Sequence, residues 1–204
     1  MTVVPTQMRL LSTAIVLLAL LSGSVMAQDP PPAKVEDVTA AVGKVFKSTE
    51  GGYTVVFPGD PKVNETTVNT ALGPLKLNTA ILGRGWAVFY VSFTDMPMTP
   101  ETPAQKKASL DGSRDELIAN GLRIISDSEV TVAGIDGREW LLEKDGAIMR
   151  ARAFFVKNRL YQLIFTAQLA LSFRNGKASP NPGDRTELFE TSSMGFFDSF
   201  KLTN

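Results

Sequence analysis

The side chains best suited to binding or catalysis lie on both sides of Asp145-Gly146, a dipeptide typical of a two-residue β-hairpin turn. If this dipeptide forms the turn, the register places Glu139 opposite Arg152 and Leu141 opposite Arg150. Residues two apart on a strand share a face of the sheet. We therefore expect the two arginines and the glutamate to form one charged face.

This charged face has two interpretations. Guanidinium groups bind oxyanions through paired hydrogen bonds, so the arginines could hold an anionic ligand or the carboxylates of a protein partner. Alternatively, Glu139 and Glu143 pair with the arginines in a cross-strand ladder that has only a structural role. The ladder is favoured because the two glutamates neutralise both arginines. The residues predicted to bind a ligand or partner are Arg150, Arg152, Glu139 and Tyr161.

A second group of carboxylates lies on a predicted helix. Asp111 and Asp115 are four residues apart and share a helix face, where like charges repel. With a third ligand they could hold Ca²⁺. Lys107 and Arg114 lie within bridging distance along the same helix, which favours local ion pairs instead.

Histidine and cysteine are both absent from the 204 residues. Ser-His-Asp, Cys-His and His-metal chemistry are therefore excluded for this chain alone, as are disulfides. Catalysis would have to use carboxylates, lysine, tyrosine or an N-terminal group, and a carboxylate-based hydrolase would use Asp111, Asp115, Glu139 and Glu143. The sequence favours a protein that is not an enzyme and that has no cofactor and no metal.

The charge pattern bears on the class of partner. Lys and Arg together number 21, as do Asp and Glu, and neither sign forms a long block. A nucleic-acid partner would normally need a basic stripe, so we expect none.

Six aromatic residues could line a small apolar pocket beneath the helices, but core packing accounts for them without further assumption and is favoured. They are Trp86, Tyr90, Phe154, Phe155, Tyr161 and Phe165.

The elements that must position these residues follow from hydrophobic periodicity and turn chemistry. The Thr-rich and polar segment Lys62–Thr70 is typical of an edge strand, and Trp86–Phe93 is typical of a covered central strand. A helix is predicted from Pro103 to Asn120, with Thr102 as its N-cap. The other predicted strands are Val45–Ser48, Tyr53–Phe57, Leu75–Leu82, Arg123–Val132, Arg138–Lys144, Ala147–Val156 and Arg159–Thr166.

After a polar loop at Arg174–Asp184, a last helix carries Phe189, Phe196 and Phe200 on one side. The order strands, helix, strands, helix favours an α+β fold with an antiparallel sheet.

The N-terminal segment is typical of an export signal. The run Leu10–Leu21 is uncharged, follows Arg9 and is too short to span a membrane as a helix. We expect residues 1–27 to be a signal peptide cleaved after Ala27, residues 28–44 a Pro-rich flexible spacer, and residues 45–204 a single domain. The predicted location is the periplasm or the exterior, with membrane attachment only if cleavage fails.

Five stretches carry a resemblance to a known group of proteins: GGYTVVFPGDP, LGPLKL, LDGSRDELIANG, MRARAFFVKNRLYQL and FFDSFKL. Because these stretches occur in this order and at this spacing, the chain resembles the PsbP-like superfamily, which also contains the Mog-type proteins and many exported bacterial proteins. The resemblance covers most of Phe46–Leu202. It implies a central antiparallel sheet flanked by helices, an α/β/α sandwich.

The resemblance implies little about mechanism. PsbP proteins are non-catalytic subunits that support ion retention at the water-oxidising centre, and Mog-type proteins bind a GTPase. No residue of this chain matches those that carry either activity, and the missing histidines count against metal binding. We expect a non-catalytic accessory module that binds a protein partner in the cell envelope; a carrier of a small anionic or apolar ligand is the alternative.

Overall fold

A computed structural model of the chain describes residues 43–70, 72–84, 86–168 and 182–203. The predicted signal peptide, most of the spacer and the loop before the last helix lie outside the described residues. Among the described helices, none is long and apolar enough to cross a membrane. The elements are β1 (Lys44–Ser48), β2 (Tyr53–Phe57), β3 (Lys62–Thr70), β4 (Gly73–Arg84), β5 (Ala87–Asp95), α1 (Pro103–Ala119), β6 (Arg123–Val132), β7 (Ile135–Lys144), β8 (Ala147–Val156), β9 (Arg159–Gln168), α2 (Pro182–Asp198) and β10 (Lys201–Leu202).

The larger sheet has seven antiparallel strands in the order β3-β4-β5-β9-β8-β7-β6. Its two edges are β3 and β6, which confirms the prediction that Lys62–Thr70 is an edge strand. The predicted hairpin register is also confirmed, because Glu139 pairs with Arg152 and Leu141 pairs with Arg150. Asp145 and Gly146 both have positive φ, as a tight turn between β7 and β8 requires.

A second sheet has three antiparallel strands in the order β1-β2-β10. Its middle strand buries Tyr53, Val55 and Phe57 and pairs through Tyr53 and Thr54 with the C-terminal strand. This sheet, together with α2, packs over one face of the seven-stranded sheet.

The expected α+β sandwich, with helices flanking one central sheet, is therefore wrong. The described residues are mostly β, in two antiparallel sheets with two helices. The physical reason is that alternating Tyr53, Val55 and Phe57 form an apolar face of their own, which covers the larger sheet where a helix was expected. Phe200 lies after α2, not within it, and stacks on Tyr53 with ring centroids 5.3 Å apart.

The core forms two layers, one on each face of the seven-stranded sheet. Leu110 and Leu117 of α1 pack on one face with Trp140 and Leu142. Phe189 and Phe196 of α2 belong to the layer on the other face, with β2 and most of the phenylalanines. Each helix is thus held against one face of the same β7–β8 hairpin.

The start of α1 is fixed by its sequence. Thr102 Oγ1 accepts a hydrogen bond from Gln105 N–H at 3.2 Å, and Gln105 Oε1 accepts one from Thr102 N–H at 3.1 Å. This reciprocal capping box and Pro103 in the first turn explain why the helix begins where the sequence predicts.

Candidate functional site

Arg150 extends from β8 beneath α2, where its side chain is buried. Its Nη2 donates to Glu190 Oε2 at 2.7 Å, and its Nη1 donates to Ser193 Oγ at 3.0 Å. The guanidinium also lies 5.5 Å from the ring centroid of Phe189. Its Nε has no hydrogen-bond partner and is 3.7 Å from Glu139 Oε1. Arg150 thus makes its strongest contacts with the helix.

Arg152, two residues along, makes a matching set of contacts. Its Nε donates to Glu139 Oε2 at 2.6 Å, and its Nη1 donates to Asp198 Oδ1 at 3.4 Å. The guanidinium lies 4.8 Å from the ring centroid of Phe197, and Nη2 approaches Met194 Sδ at 3.6 Å. The predicted cross-strand pair with Glu139 is therefore present, but it lies under a helix rather than in solvent.

We call this group the α2 clamp: Glu139, Arg150, Arg152, Glu190 and Asp198. Three carboxylates surround two guanidinium groups, so the clamp needs no further anion for charge balance. An anionic ligand here would have to displace the carboxylate of Glu190 or Asp198. The observed contacts hold α2 on the sheet, and the assignment of these arginines to ligand or partner binding stays a prediction.

Tyr161 lies away from the clamp and fastens the turn between β1 and β2. Its hydroxyl donates to the carbonyl oxygen of Gly51 at 2.6 Å, and its ring stacks on Phe154 with centroids 5.3 Å apart. Thr203 N–H reaches Gly52 O at 2.8 Å from the C-terminal side. Tyr161 therefore contributes to joining the two sheets, and the structure does not bring it together with Arg150.

Arg159 reinforces the same junction. Its Nε and Nη2 donate to the two carboxylate oxygens of Asp95 at 2.6 and 2.7 Å, and its Nη1 donates to Glu50 O at 2.7 Å. The hydrogen bonds from Arg159 lower the pKa of the Asp95 carboxyl. The cation also lies 4.6 Å from the Phe93 ring centroid.

The helix carboxylates form local ion pairs, as favoured from the sequence. Asp111 pairs with Lys107, and Asp115 Oδ1 accepts from Arg114 Nη2 at 2.7 Å. Glu143, which was predicted to pair with Arg150 or Arg152, instead pairs with Arg123, its cross-strand neighbour on β6, so that part of the predicted ladder is wrong. Within the described ranges no three acidic side chains converge as metal ligands would. The four carboxylates nominated for hydrolysis are thus distributed over separate ion-pair groups.

Sequence reasoning missed a second network, which we call the α1 bridge: Arg114, Asp127 and Arg138. Asp127 on β6 accepts from Arg114 Nη1 of α1 at 3.2 Å and from Arg138 Nε of β7 at 3.0 Å. The bridge joins α1 to the sheet opposite the clamp. The sequence gives little indication of this network, because the three charged residues are separated along the chain and come together only through non-local strand pairing.

The six aromatic residues proposed for one pocket divide between the two core layers. Tyr90 and Phe155 lie on the α1 side, whereas Phe154, Tyr161 and Phe165 lie on the α2 side with Trp86 against them. Neighbouring residues of a strand point to opposite faces, so Phe154 and Phe155 could not share a pocket.

Two of the concave regions lined by described residues are open to solvent. A pocket of about 160 Å³ lies between the β3–β4 turn, the loop after β5 and the start of α1, with Leu72, Met96, Met98 and Phe155 in its walls. A wider groove of about 670 Å³ separates α1 from the β6–β7 hairpin. Lys106 of α1 and Asp136 of β7 stand on its opposite walls. Neither feature was predicted as a site.

The two edges of the seven-stranded sheet differ in a way that matters for binding. Along β3 the nine residues are exposed or half-buried on both faces and pair without interruption with β4. The other edge, β6, has a β-bulge between Ile124 and Ser126 and carries Asp127, which is held by the α1 bridge. A regular, uncovered edge presents unpaired backbone groups to solvent, whereas a bulge interrupts them.

No protein-family model and no curated protein sequence matches the chain. Among solved structures, it is similar to cyanobacterial PsbP from Synechocystis sp. PCC 6803, with 11% identity, coverage of 87% of this chain and 99% of that one, and a TM-score of 0.48. It is also similar to a protein of unknown function from Pseudomonas aeruginosa, with 12% identity, coverage of 75% and 94%, and a TM-score of 0.36. A Bacteroides thetaiotaomicron protein matches with 14% identity, coverage of 79% and 49%, and a TM-score of 0.39.

The first of these structures is a PsbP protein, the group that the sequence resembles. With every TM-score below 0.5, the likenesses carry no argument for family or function. Membership of the PsbP-like superfamily stays a prediction.

Proposed function

We propose that this protein is an exported, non-catalytic accessory module that binds a protein partner in the cell envelope by accepting an extended segment of that partner along β3. The observation that carries the proposal is the open edge of β3. Val63 on this strand is 64% exposed, and the strand contains no proline and no bulge. Natural edge strands are usually protected by such features or by charged side chains. Of the nine residues of β3 only Lys62 and Glu65 are charged, so residues 66–70 carry none of these protecting features, which supports a binding role.

The physical basis is backbone hydrogen bonding. On the outer side of β3, every second residue has a backbone N–H and C=O that no strand of the sheet pairs. A partner segment that pairs with this edge exchanges hydrogen bonds along its length, each contributing roughly 0.5–1.5 kcal/mol net. Exposed Thr and Asn side chains on β3 add contacts on either face without demanding one sequence.

The remaining edges are less suitable. In the smaller sheet, β1 has five residues with Lys44 and Lys47 among them, and β10 has only two residues. On β6 the bulge and the α1 bridge constrain the strand. The comparison therefore favours β3 as the strand to which a partner adds.

The edge can be tested by site-specific photocrosslinking of the full-length protein in cells of its own source. A photoreactive residue at Val63 should give one discrete adduct, whereas the matched control at Ile125, which is exposed on β6, should give none. Equal adducts at both positions would show that the edges are not distinguished and would overturn the proposal.

Proline substitutions sharpen this test. Neighbouring residues of a strand direct their N–H groups to opposite sides, so one of the variants Thr66→Pro and Thr67→Pro removes a hydrogen bond to β4 and the other removes an outward donor. The variant that melts like the wild type should lose the Val63 adduct. Persistence of the adduct in that variant would contradict pairing along β3.

Export is a separate part of the proposal, supported by the uncharged run Leu10–Leu21 after Arg9. The expected mature protein begins at Gln28 and is released from cells by selective disruption of the outer envelope. Intact-mass measurement of the protein from that fraction checks the cleavage, and a mass that retains residues 1–27 would indicate a membrane anchor instead.

A second candidate function, carriage of a small ligand, is favoured by the groove between α1 and the β6–β7 hairpin. Its apolar floor includes Leu110 and Ile135, and its walls carry Lys106 and Asp136. Such a groove could hold a molecule with both an apolar and a charged part. Native mass spectrometry of protein purified from its own source should then show an added mass, which an Ile135→Lys variant loses.

A further inference from the structure

We infer that the pocket beside the β3–β4 turn, which we call the loop pocket, receives one uncharged, ring-sized apolar side chain of the partner that pairs with β3. This inference rests on the proposed function and identifies a second contact of the same partner. Its walls include Leu72, Met96, Met98 and Phe155, with Ser109 of α1 on one side.

The size and lining of the loop pocket determine what it accepts. Its volume of about 160 Å³ is close to that of an engineered apolar cavity of about 150 Å³ that binds benzene. No charged side chain lines it, so a charged group would lose hydration without gaining a counter-ion. Methionine side chains adapt to the shape of an apolar guest. The pocket therefore favours an aromatic ring or a leucine-sized group.

The pocket is built before any guest arrives, because both ends of its loop are fixed. At one end, Met96 N–H donates to Asn158 O at 2.9 Å, and Asn158 Nδ2 donates to Met96 O at 3.1 Å. At the other end stands the capping box of Thr102 and Gln105. Prolines restrict the backbone between and after these anchors, at Pro97, Pro100 and Pro103. Binding to such a preorganised pocket costs little conformational entropy.

Position and openness favour a side chain of the partner over a free molecule. Leu72 belongs both to the pocket wall and to the turn that directly follows β3, so a backbone paired with β3 that continues past Thr70 arrives beside the pocket. Met98 on the rim is 58% exposed, so the pocket opens to solvent. An open pocket suits a side chain whose backbone remains outside.

The experiment uses the full chain with ¹³C-labelled methionine methyl groups and N-acetyl-phenylalaninamide as the probe. We expect saturable NMR shifts of the Met96 and Met98 methyls, while Met149 and Met194, which lie outside the pocket, stay unchanged. N-acetyl-aspartamide should shift none of them. Equal shifts of the Met96, Met98, Met149 and Met194 methyls, or no saturable shift, would overturn the inference.

Variants locate the binding and supply the control. Ser109→Leu fills the pocket and should weaken binding of the capped phenylalanine at least tenfold, whereas Ala108→Leu adds the same side chain at an exposed neighbour and should leave binding unchanged. If Ser109→Leu does not fold, Met98→Asp places a charge on the exposed rim and should weaken binding similarly. Unaltered binding in a folded variant of either kind would contradict the inference.

A second crosslinking experiment distinguishes failure of this inference from failure of the proposed function. A photoreactive residue at Thr99, on the pocket rim, should crosslink the same protein as Val63 does. If Val63 gives its adduct but Thr99 gives none, the loop pocket is not part of the interface and the edge proposal stands. If the capped phenylalanine binds but Val63 gives no adduct, the edge proposal fails. The pocket then binds a free apolar molecule, and the inference that it receives a side chain of the partner is overturned.

Discussion

The two faces of the β7–β8 hairpin hold one helix each, and they do so by different means. On one face the α2 clamp buries two arginines among three carboxylates, and the arginines also lie over Phe189 and Phe197. On the other face α1 packs through Leu110 and Leu117. The α1 bridge also joins α1 to β6, through the ion pair of Arg114 with Asp127.

The satisfaction of polar groups also differs between these faces. Three buried atoms in or beside the α1 layer lack a hydrogen-bond partner within the described part of the chain: Tyr90 Oη, Glu116 Oε2 and Trp140 Nε1. The clamp has one, Arg150 Nε. A buried polar group without a partner costs free energy, whereas a buried charge is tolerated when it is paired. The attachment of α2 to the sheet therefore depends on specific charges, whereas that of α1 depends mainly on apolar contact.

The largest expected effect comes from Glu139→Ala, which removes the carboxylate shared by both arginines. Breaking a buried ion pair by removing one partner typically costs 3–5 kcal/mol, and because Glu139 retains 18% exposure we expect a loss of about 3 kcal/mol in the free energy of unfolding. Urea unfolding followed by circular dichroism measures this change.

Glu143→Ala is the matched control for that substitution, since Glu143 lies on the same face of the same strand. Its pair with Arg123 is exposed, with side-chain exposures of 38% and 68%, so we expect a change below about 1 kcal/mol. Equal losses for the two variants would show that burial beneath α2 gives Glu139 no special weight.

A smaller effect is expected for Asp127→Asn in the α1 bridge. The side chain of Asp127 is 20% exposed, and the substitution weakens two charge-assisted contacts without opening a cavity. We expect a loss of about 1–2 kcal/mol. The loss is smaller than for Glu139→Ala because asparagine keeps a polar side chain in place, and because the arginine partners of Asp127 are more exposed (26% and 14%) than those of Glu139 (9% and 10%). Glu129→Gln, 83% exposed on the same strand, should change stability by less than about 0.5 kcal/mol. A larger loss for Asp127→Asn than for Glu139→Ala would reverse the comparison.

Local features of the fold could be predicted from the sequence, and non-local ones could not. The Asp145-Gly146 turn fixes its hairpin register within a few residues, and Thr102 with Gln105 fixes the start of α1, so both predictions were right. The pairing of Tyr53 with Leu202 joins distant parts of the chain, and nothing near either residue indicates it.

The same distinction explains what was missed at the candidate site. The pair of Glu139 with Arg152 follows from the turn, and it was predicted. Its burial depends on α2, whose Glu190 and Asp198 follow their partners Arg150 and Arg152 by 40 and 46 residues. Periodicity indicates that a helix has an apolar side, but it does not say which sheet face receives that side. The loop pocket likewise requires Leu72, Met98 and Phe155 to meet from three separate segments.

The smallest expected effect is that of Glu116→Gln, which replaces a carboxylate on α1. Partial burial raises the pKa of Glu116, and its Oε2 has no hydrogen-bond partner within the described residues. Between about pH 4.5 and the raised value, the folded chain therefore binds more protons than the unfolded chain, so stability falls as pH rises through this window. Glu116→Gln removes the penalty and should stabilise the protein at neutral pH by roughly a few tenths of a kcal/mol, because solvent reaches much of the side chain. The gain should vanish below about pH 4.5, where the wild-type carboxyl is protonated in both states.

Thermal melting at pH 7 and pH 4 measures this difference, with the exposed Glu187→Gln of α2 as a control that should show no gain. A Glu116→Gln variant that is less stable than the wild type at neutral pH would mean that this carboxylate has a stabilising partner on the α1 side, and the contrast between the two faces of the hairpin would then narrow.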